Sequence, residues 1–200
     1  MTVPLLDVSL VGAGYLIGSV ASAIIVCHIW GLPDPRQQGS SNPGATNVLR
    51  IGGKVPAAIT LAGDVLKGVL PVTVGQWLHV ESPTLAAIAL AAFLGHLYPL
   101  FFHFQGGKGV ATAFGALLGL APGVALATLG VWLVVVVLTR LSSLAALSAG
   151  IVAPAILWWQ NYPSEHTVVL GIIAVLLIWR HRSNIQRLLT KQEQHIGEKS

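Results

Sequence analysis

Charged residues are scarce in this sequence. Only 9% of its 200 residues are charged and 54% are hydrophobic, whereas soluble domains carry about 25% charged residues. The polar groups are too few to cover a water-exposed globule, which excludes a soluble globular enzyme and a disordered tail. The single cysteine, Cys27, has no partner in the chain, so a disulfide scaffold is excluded too. The first hydrophobic run follows no basic segment and is too long for a signal peptide, so we expect no cleavable one. The composition is that of a polytopic membrane protein.

Long hydrophobic runs divide the chain into seven expected transmembrane spans. A bilayer core about 30 Å thick needs roughly 20 helical residues. The run from Val110 to Thr139 would reach about 45 Å as one helix, so we expect a break at Pro122 and two spans. The sequence therefore predicts a single all-α integral membrane domain over residues 1–200, with spans at about 8–30, 56–78, 84–102, 110–121, 123–139, 144–159 and 167–179.

The basic residues predict the orientation of these spans. Seven crossings place ten of the eleven Lys and Arg residues on one side of the membrane and none on the other. The positive-inside rule then predicts an external N-terminus and a cytoplasmic C-terminus, with cytoplasmic loops at 31–55, 103–109 and 180–200. The net charge of +4 follows from this topology, so we expect a lipid bilayer and no nucleic acid as partner.

The first cytoplasmic loop has the residue types of a phosphate site. Residues 39–47 read Gly-Ser-Ser-Asn-Pro-Gly-Ala-Thr-Asn, and Arg50 follows. Glycines let a backbone approach a ligand closely, successive amides can form an anion-binding nest, and arginine offers a planar fork to phosphate. A solvated loop of turn residues is the alternative. The length of the loop and its arginine favour the phosphate site.

The other two cytoplasmic segments leave their alternatives open. Gly106-Gly107-Lys108-Gly109 precedes a helix start, which suits an oxyanion, but a flexible turn with one basic residue explains it equally well. It is not a P-loop, because no Ser or Thr follows the lysine. Segment 180–188 carries three arginines and reads as a juxtamembrane anchor, yet His181 and Asn184 would share a helix face, which an anchor does not require.

Two further polar features lie within the spans. Asp64 and Lys67 stand at i,i+3 spacing, where they can neutralise each other, and a functional and a structural role are equally open. His96 ends the third span, where a hydrogen-bonded interface histidine is the more common case than a base. The three basic loops lie on one membrane face beside lipid, which suits a substrate with a phosphate end and an acyl end.

The motifs together resemble the bacterial acyl-phosphate-dependent glycerol-3-phosphate acyltransferases, the PlsY family. The resemblance rests on Gly39 to Arg50, Gly95-His-Leu-Tyr-Pro99, Gly106 to Ala111 and His181-Arg-Ser-Asn-Ile-Gln-Arg-Leu188, in order and at the right spacing over essentially the whole chain. It is nearest to the enterobacterial type of sequence. Two positions depart from the family pattern: Ser41 replaces a usual glycine, and Gln105 replaces a frequent lysine.

The resemblance implies an activity and a location. The expected reaction transfers a fatty acyl group from acyl phosphate to the 1-hydroxyl of sn-glycerol 3-phosphate, giving lysophosphatidic acid and inorganic phosphate. No metal or other cofactor is expected. The expected place is the bacterial inner membrane, with the active site on the cytoplasmic side and a functional link to an enzyme that produces acyl phosphate.

The resemblance also implies roles for individual residues. Lys108, Arg50 and His181 are the expected catalytic residues, the first two as neutralising charges. The expected substrate- and phosphate-binding residues are Ser40, Asn42, Gly44, Thr46, Asn47, Gly106, Gly107, Gly109, Ser143, Arg182 and Asn184.

Direct transfer is the expected mechanism, because an acyl phosphate already has a good leaving group and no Ser-His-Asp order is apparent. The proton acceptor is open between His181 and a substrate phosphate. The alternative function is a transporter of phosphorylated metabolites, which would need polar residues distributed across the spans. A membrane-structural protein would not need three motifs of glycine and cation.

Overall fold

The computed structural model describes residues 4–196, and these form ten α-helices. The predicted tail positions 197–200, including Lys199, lie outside the described residues. The helices are α1 Leu5–Gly18, α2 Ser22–Ile29, α3 Ala45–Gly52, α4 Lys54–Trp77, α5 Ser82–Leu97, α6 Val110–Leu120, α7 Pro122–Thr139, α8 Ser142–Trp159, α9 Ser164–Arg180 and α10 Arg182–Leu189.

Several of these helices are candidates for crossing a membrane. Five segments are long and apolar enough: Leu5–Ile29, Lys54–Trp77, Ser82–Phe102, Pro122–Thr139 and Ser142–Trp159. The bent pair α9 and α10 is a sixth candidate, while α6 is apolar but has only 11 residues. The run from 110 to 139 breaks at Ala121, directly before Pro122. Proline suits the first turn of α7, where its missing N–H has no helical partner to lose.

The first predicted span, 8–30, is interrupted between α1 and α2. Gly18 ends α1 against the backbone of Ala92 in α5, where a β-carbon would overlap the Ala92 carbonyl. Nζ of Lys67 donates a hydrogen bond of 2.8 Å to the carbonyl oxygen of Val20 in the break. Hydrocarbon supplies no partner for a freed carbonyl, so the lysine makes the break tolerable.

The segment predicted as a loop at 31–55 contains helix α3, which corrects that expectation. Gly44 precedes the helix, and Gly53, at φ 83°, ends it in a conformation that favours glycine. The helix forms because Val48 is fully buried against Ala23, Cys27 and Ala57. The short amphipathic helix α3 therefore obtains its stability from tertiary packing.

Small residues allow the helices to approach closely. A β-carbon on Gly68 of α4 would overlap the carbonyl oxygen of Thr112 in α6, and one on Gly95 of α5 would overlap that of Tyr15 in α1. Close backbone contact is the usual basis of helix association where lipid competes with apolar side chains. These contacts bring the starts of α3, α6 and α8 and the end of α9 around one cavity.

Candidate active site

A cavity of about 640 Å³ joins the three predicted motif segments. Its lining includes eleven of the fourteen predicted site residues: Ser40, Asn42, Gly44, Thr46, Asn47, Arg50, Lys108, Gly109, Ser143, His181 and Asn184. These residues come from α3 and the segment before it, from the loop before α6, from the start of α8, and from α10 and the residue before it, and together they form one polar end. The segments are far apart in sequence, and only the fold brings them together.

An apolar arm extends from this polar end into the bundle. Small residues of α8 line one wall (Ala146, Ala149, Gly150 and Ala153), and larger residues of α9 line another (Leu170, Ile173 and Leu177). From Ser143 to Ala153 the helix rises about 15 Å. The cavity can therefore hold an anionic group and a long apolar chain together.

Asn47 organises the first motif segment. Its Oδ1 accepts the backbone N–H of Ser40 at 2.8 Å, and its Nδ2 donates to the carbonyl oxygens of Pro35 and Gln38 at 2.8 and 2.9 Å. The side chain is 1% exposed, and these bonds leave it little capacity for a ligand. Asn47, predicted as a phosphate ligand, therefore supports the backbone of Ser40, which also lines the cavity.

The glycine loop, residues 106–109, is fastened by Arg180. Nη2 of Arg180 donates to the carbonyl oxygens of Gly106 and Gly107 at 2.8 and 2.9 Å, and its Nε donates to Gly107 at 3.2 Å. In a planar peptide the N–H points opposite to the C=O, so the N–H groups of Gly107 and Lys108 face away from Arg180. Within residues 4–196 neither N–H donates to a protein acceptor. Of the two residues, Lys108 lines the cavity, where a backbone N–H donor suits an anion.

Lys108 heads a hydrogen-bonded chain at the polar end. Its Nζ donates to Oδ1 of Asn184. Nδ2 of Asn184 donates in turn to Oε1 of Glu193 at 2.6 Å, and Nε of Arg187 donates to Oε2 at 2.8 Å. Because Asn184 is held at both ends of its amide, its orientation is fixed before any substrate arrives.

The surroundings of Lys108 lower the pKa of its ammonium group. Burial, only partly opposed by the negative charge of Glu193, lowers the pKa of Lys108 to about 8. Burial alone would raise the pKa of the Glu193 carboxyl, but hydrogen bonds from its neighbours and the charge of Arg187 bring it below its ordinary value. The lysine is therefore cationic at neutral pH and neutral in moderately alkaline solution.

His181 is neutral at physiological pH. Burial, followed by the charge of Lys108, lowers its pKa to about 4. Its Nδ1 lies 2.8 Å from the carbonyl oxygen of Leu177, and since that oxygen can only accept, Nδ1 must carry the proton. Nε2 is then a hydrogen-bond acceptor. The residue can orient a hydroxyl group, but it is a weak base.

Three predicted site residues do not line the cavity. Gly106 and Gly107 lie behind it, against Arg180 and His96. Arg182 is exposed, with its guanidinium 5.1 Å from the ring of Trp179. Arg180, the last residue of α9, and not Arg182 at the start of α10, faces the glycine loop.

The structure adds three residues that the sequence interpretation missed: Arg180, Arg187 and Glu193. Arg187 stands three residues after Asn184 on α10, so the same helix-face spacing that selected Asn184 could have found it. Arg180 gave no signal beyond its positive charge. Glu193 follows the last helix as one acid in a polar tail, and nothing in the pattern marks it.

Metal ligands are not grouped in the described structure. Across residues 4–196 no three His, Cys, Asp or Glu side chains are placed to hold a metal ion. The cavity instead offers side-chain cations and backbone N–H groups as its electrophilic elements.

Comparison with known proteins agrees along nearly the whole chain. The profile of the family described as glycerol-3-phosphate acyltransferase matches residues 8–191. The glycerol-3-phosphate acyltransferase of Thioalkalivibrio sulfidiphilus is 52% identical over 196 residues, which are 98% of this chain and 97% of that protein. A crystal structure of PlsY, an integral membrane glycerol 3-phosphate acyltransferase, in its glycerol 3-phosphate form is 40% identical, with a TM-score of 0.92 and 96% of both chains covered. The lysophosphatidic acid form of PlsY is 39% identical, with a TM-score of 0.89 and the same coverage.

Proposed function

The chain belongs to the glycerol-3-phosphate acyltransferase family, and on that premise we propose that its cavity transfers a fatty acyl group from an acyl phosphate to the 1-hydroxyl of sn-glycerol 3-phosphate. Lysophosphatidic acid and inorganic phosphate are the products, as in the first step of phospholipid synthesis. The observation that carries this proposal is the single cavity that joins a cationic, glycine-rich end to an apolar arm. A phosphate group fits the first part and an acyl chain the second.

The substrate roles follow the positions of the cavity residues. Arg50, Lys108 and Arg187 supply positive charge for two phosphate groups that must lie close together. The hydroxyls of Ser40, Thr46 and Ser143, the amide of Asn42 and the backbone at Gly44 and Gly109 line the same end and bind phosphate oxygens. Asn184 and His181 hold the glycerol part, since both line the polar end of the cavity and Asn184 meets Lys108 there.

The reaction proceeds by direct attack, without an acyl-enzyme. The glycerol hydroxyl oxygen forms a bond to the acyl carbonyl carbon, and the bond from that carbon to the phosphate oxygen breaks. Two substrates held side by side supply much of the rate by orientation alone. The low pKa of His181 makes it a poor proton acceptor at neutral pH. The hydroxyl proton therefore passes to a phosphate oxygen, whose second pKa is about 6, while Nε2 of His181 orients the hydroxyl.

The topology that serves this chemistry has seven spans. The five candidate spans of the fold, α9 and the short α6 together give that number. With an external N-terminus, the polar end of the cavity and the basic loops face the cytoplasm. The location is the bacterial inner membrane, and an enzyme that produces acyl phosphate supplies the donor from the cytoplasmic side.

The test is phosphate release by purified protein with palmitoyl phosphate and glycerol 3-phosphate, with palmitoyl-CoA replacing the donor in a parallel reaction. We expect release that requires both substrates, lysophosphatidic acid identified by mass, and no product from the CoA ester. Folded protein that shows no turnover would overturn the proposal, and uptake of glycerol 3-phosphate into proteoliposomes would then test the transporter alternative.

A further inference from the structure

Three ionisable side chains are buried behind the motif segments. Asp64 and Lys67 of α4 and His96 of α5 are only 2%, 5% and 6% exposed. Nζ of Lys67 lies 2.9 Å from Oδ1 of Asp64, and Nδ1 of His96 lies 3.6 Å from the same oxygen. Burial of three such groups is costly unless each has a partner, so each needs a physical reason to be there.

Lys67 and Asp64 have a structural reason. The ammonium of Lys67 donates to the Val20 carbonyl in the break between α1 and α2. Asp64 neutralises that ammonium. This pair accounts for two of the three ionisable groups but gives no reason for a histidine at position 96.

His96 reaches the active site. Asp64 and His96 both line the cavity, unlike Lys67. The imidazole lies against Gly107, where a β-carbon would overlap its Nε2 and would stand 2.9 Å from the carbonyl oxygen of Pro43. His96 is thus located where the first motif segment meets the glycine loop.

The glycine loop is consequently held from two sides. Arg180 holds the carbonyls of Gly106 and Gly107, and the ring of His96 bounds Gly107. The next residue is Lys108, whose ammonium meets Asn184 in the cavity. A shift of Gly107 by 1 Å would carry Lys108 and its backbone N–H with it.

We propose that His96, packed beside Asp64, is a positioning residue for acyl transfer: it fixes Gly107 and thereby the place at which Lys108 meets the substrate phosphates. The inference rests on the proposed function. His96 acts through the loop, so its effect on the rate depends on Lys108. If His96 only filled the core, its substitution would lower stability, and its effect on the rate would be the same with and without Lys108.

Two substitutions of His96 by amide side chains test its two ring nitrogens one at a time. In His96→Gln the amide nitrogen can occupy the place of Nε2 against Gly107, whereas in His96→Asn it can occupy only that of Nδ1, facing Asp64. We expect kcat/KM of His96→Asn to fall by up to about 10²-fold, the known effect of a 1 Å misplacement. His96→Gln should lose less than His96→Asn, because it keeps the contact with Gly107 and gives up only the one with Asp64. Thermal unfolding of both variants in detergent reports their folding.

A double-mutant cycle with Lys108→Met gives the decisive measurement. We expect His96→Asn to change kcat/KM by less than about twofold in the Lys108→Met background, because the group that it positions is gone. It should keep its full effect in Lys54→Met, which removes an exposed lysine outside the cavity. Additive losses in the Lys108→Met background, or equal losses in the Asn and Gln variants, would overturn the inference.

The charge pair offers a second route if the histidine variants fold poorly. The double variant Asp64→Asn with Lys67→Gln removes both charges and keeps an amide donor near Val20. We expect folded protein with kcat/KM reduced, but by less than in His96→Asn because the ring still bounds Gly107, and wild-type kcat/KM would overturn the role of Asp64. The wild-type assay is independent of these variants: no wild-type turnover contradicts the proposed function, while turnover with an additive cycle contradicts this inference alone.

Discussion

The pH dependence of the reaction should report the charge of Lys108. Its pKa is lowered to about 8 from an ordinary value of 10.5. Below the lowered pKa the ammonium is present, and it is lost as the pH rises through that value. The cationic fraction falls from about nine-tenths at pH 7 to about one-tenth at pH 9, and we expect kcat/KM to fall about tenfold over this range. An ordinary lysine would produce no loss there.

The assay is steady-state phosphate release between pH 6.5 and 10 with palmitoyl phosphate and glycerol 3-phosphate. Both substrate phosphates have second pKa values of about 6 and do not titrate across the alkaline limb. Lys108→Arg keeps its charge throughout and should give a flat alkaline profile, at a lower rate because the guanidinium has a different shape. Lys108→Met should lose about 10²–10³-fold in kcat/KM at pH 7, as expected for removal of one electrostatic donor. Lys54→Met is the matched control.

Two results would refute the reasoning. A wild-type profile that stays flat to pH 10 would show that the lysine is not titrating where its burial places it. An alkaline fall in Lys108→Arg parallel to that of wild type would assign the titration to another group. Either result would remove Lys108 as the charge that senses the alkaline pH.

Three further predictions concern the loops and the helix contacts. Arg180→Lys should lower kcat/KM about tenfold, because a single ammonium cannot reproduce the guanidinium contacts to two carbonyls, while Arg182→Ala should leave turnover unchanged. Ser41 has a φ of 54°, a left-handed conformation, so Ser41→Gly should raise the free energy of unfolding by up to about 1 kcal/mol; a lower denaturation midpoint would contradict this. Gly68→Ala should cost about 1–3 kcal/mol through contact with the α6 backbone, whereas Gly130→Ala, with nothing within 4 Å, should cost nothing. Equal unfolding midpoints for the two alanine variants would show that the contact between α4 and α6 can relax.

Much of the architecture could be predicted from hydrophobic length and composition. The hydrophobic segments and the break before Pro122 are local properties, since bilayer thickness and the proline ring act on neighbouring residues. The break at Val20 is different, because it depends on the contact of Gly18 with α5 and on a hydrogen bond from Lys67, 47 residues away. Helix α3 was missed for the same reason, as its stability comes from burial of Val48.

The candidate site divides in the same way. The resemblance of short motifs placed Lys108, His181 and Asn184 among the expected residues, because a glycine-rich turn and a helix face can both be recognised over a few positions. Asn47 was placed among the phosphate ligands by its motif position, yet its side chain is occupied by hydrogen bonds within the first segment. Glu193 escaped notice because its partners, Asn184 and Arg187, are contacts of the folded chain.

By itself, the sequence determined that this protein is an all-helical membrane protein whose glycine-rich, basic segments belong to an acyltransferase family. The first property follows from composition and hydrophobic length, and the second from the resemblance of the motifs to that family; a chain carries both in any conformation. Only the tertiary structure decided that Arg180 rather than Arg182 holds the glycine loop, that Lys108 is partly desolvated, and that His96 lies beneath Gly107. Direction of a side chain, exclusion of water and the distance between charges exist only once the helices have packed.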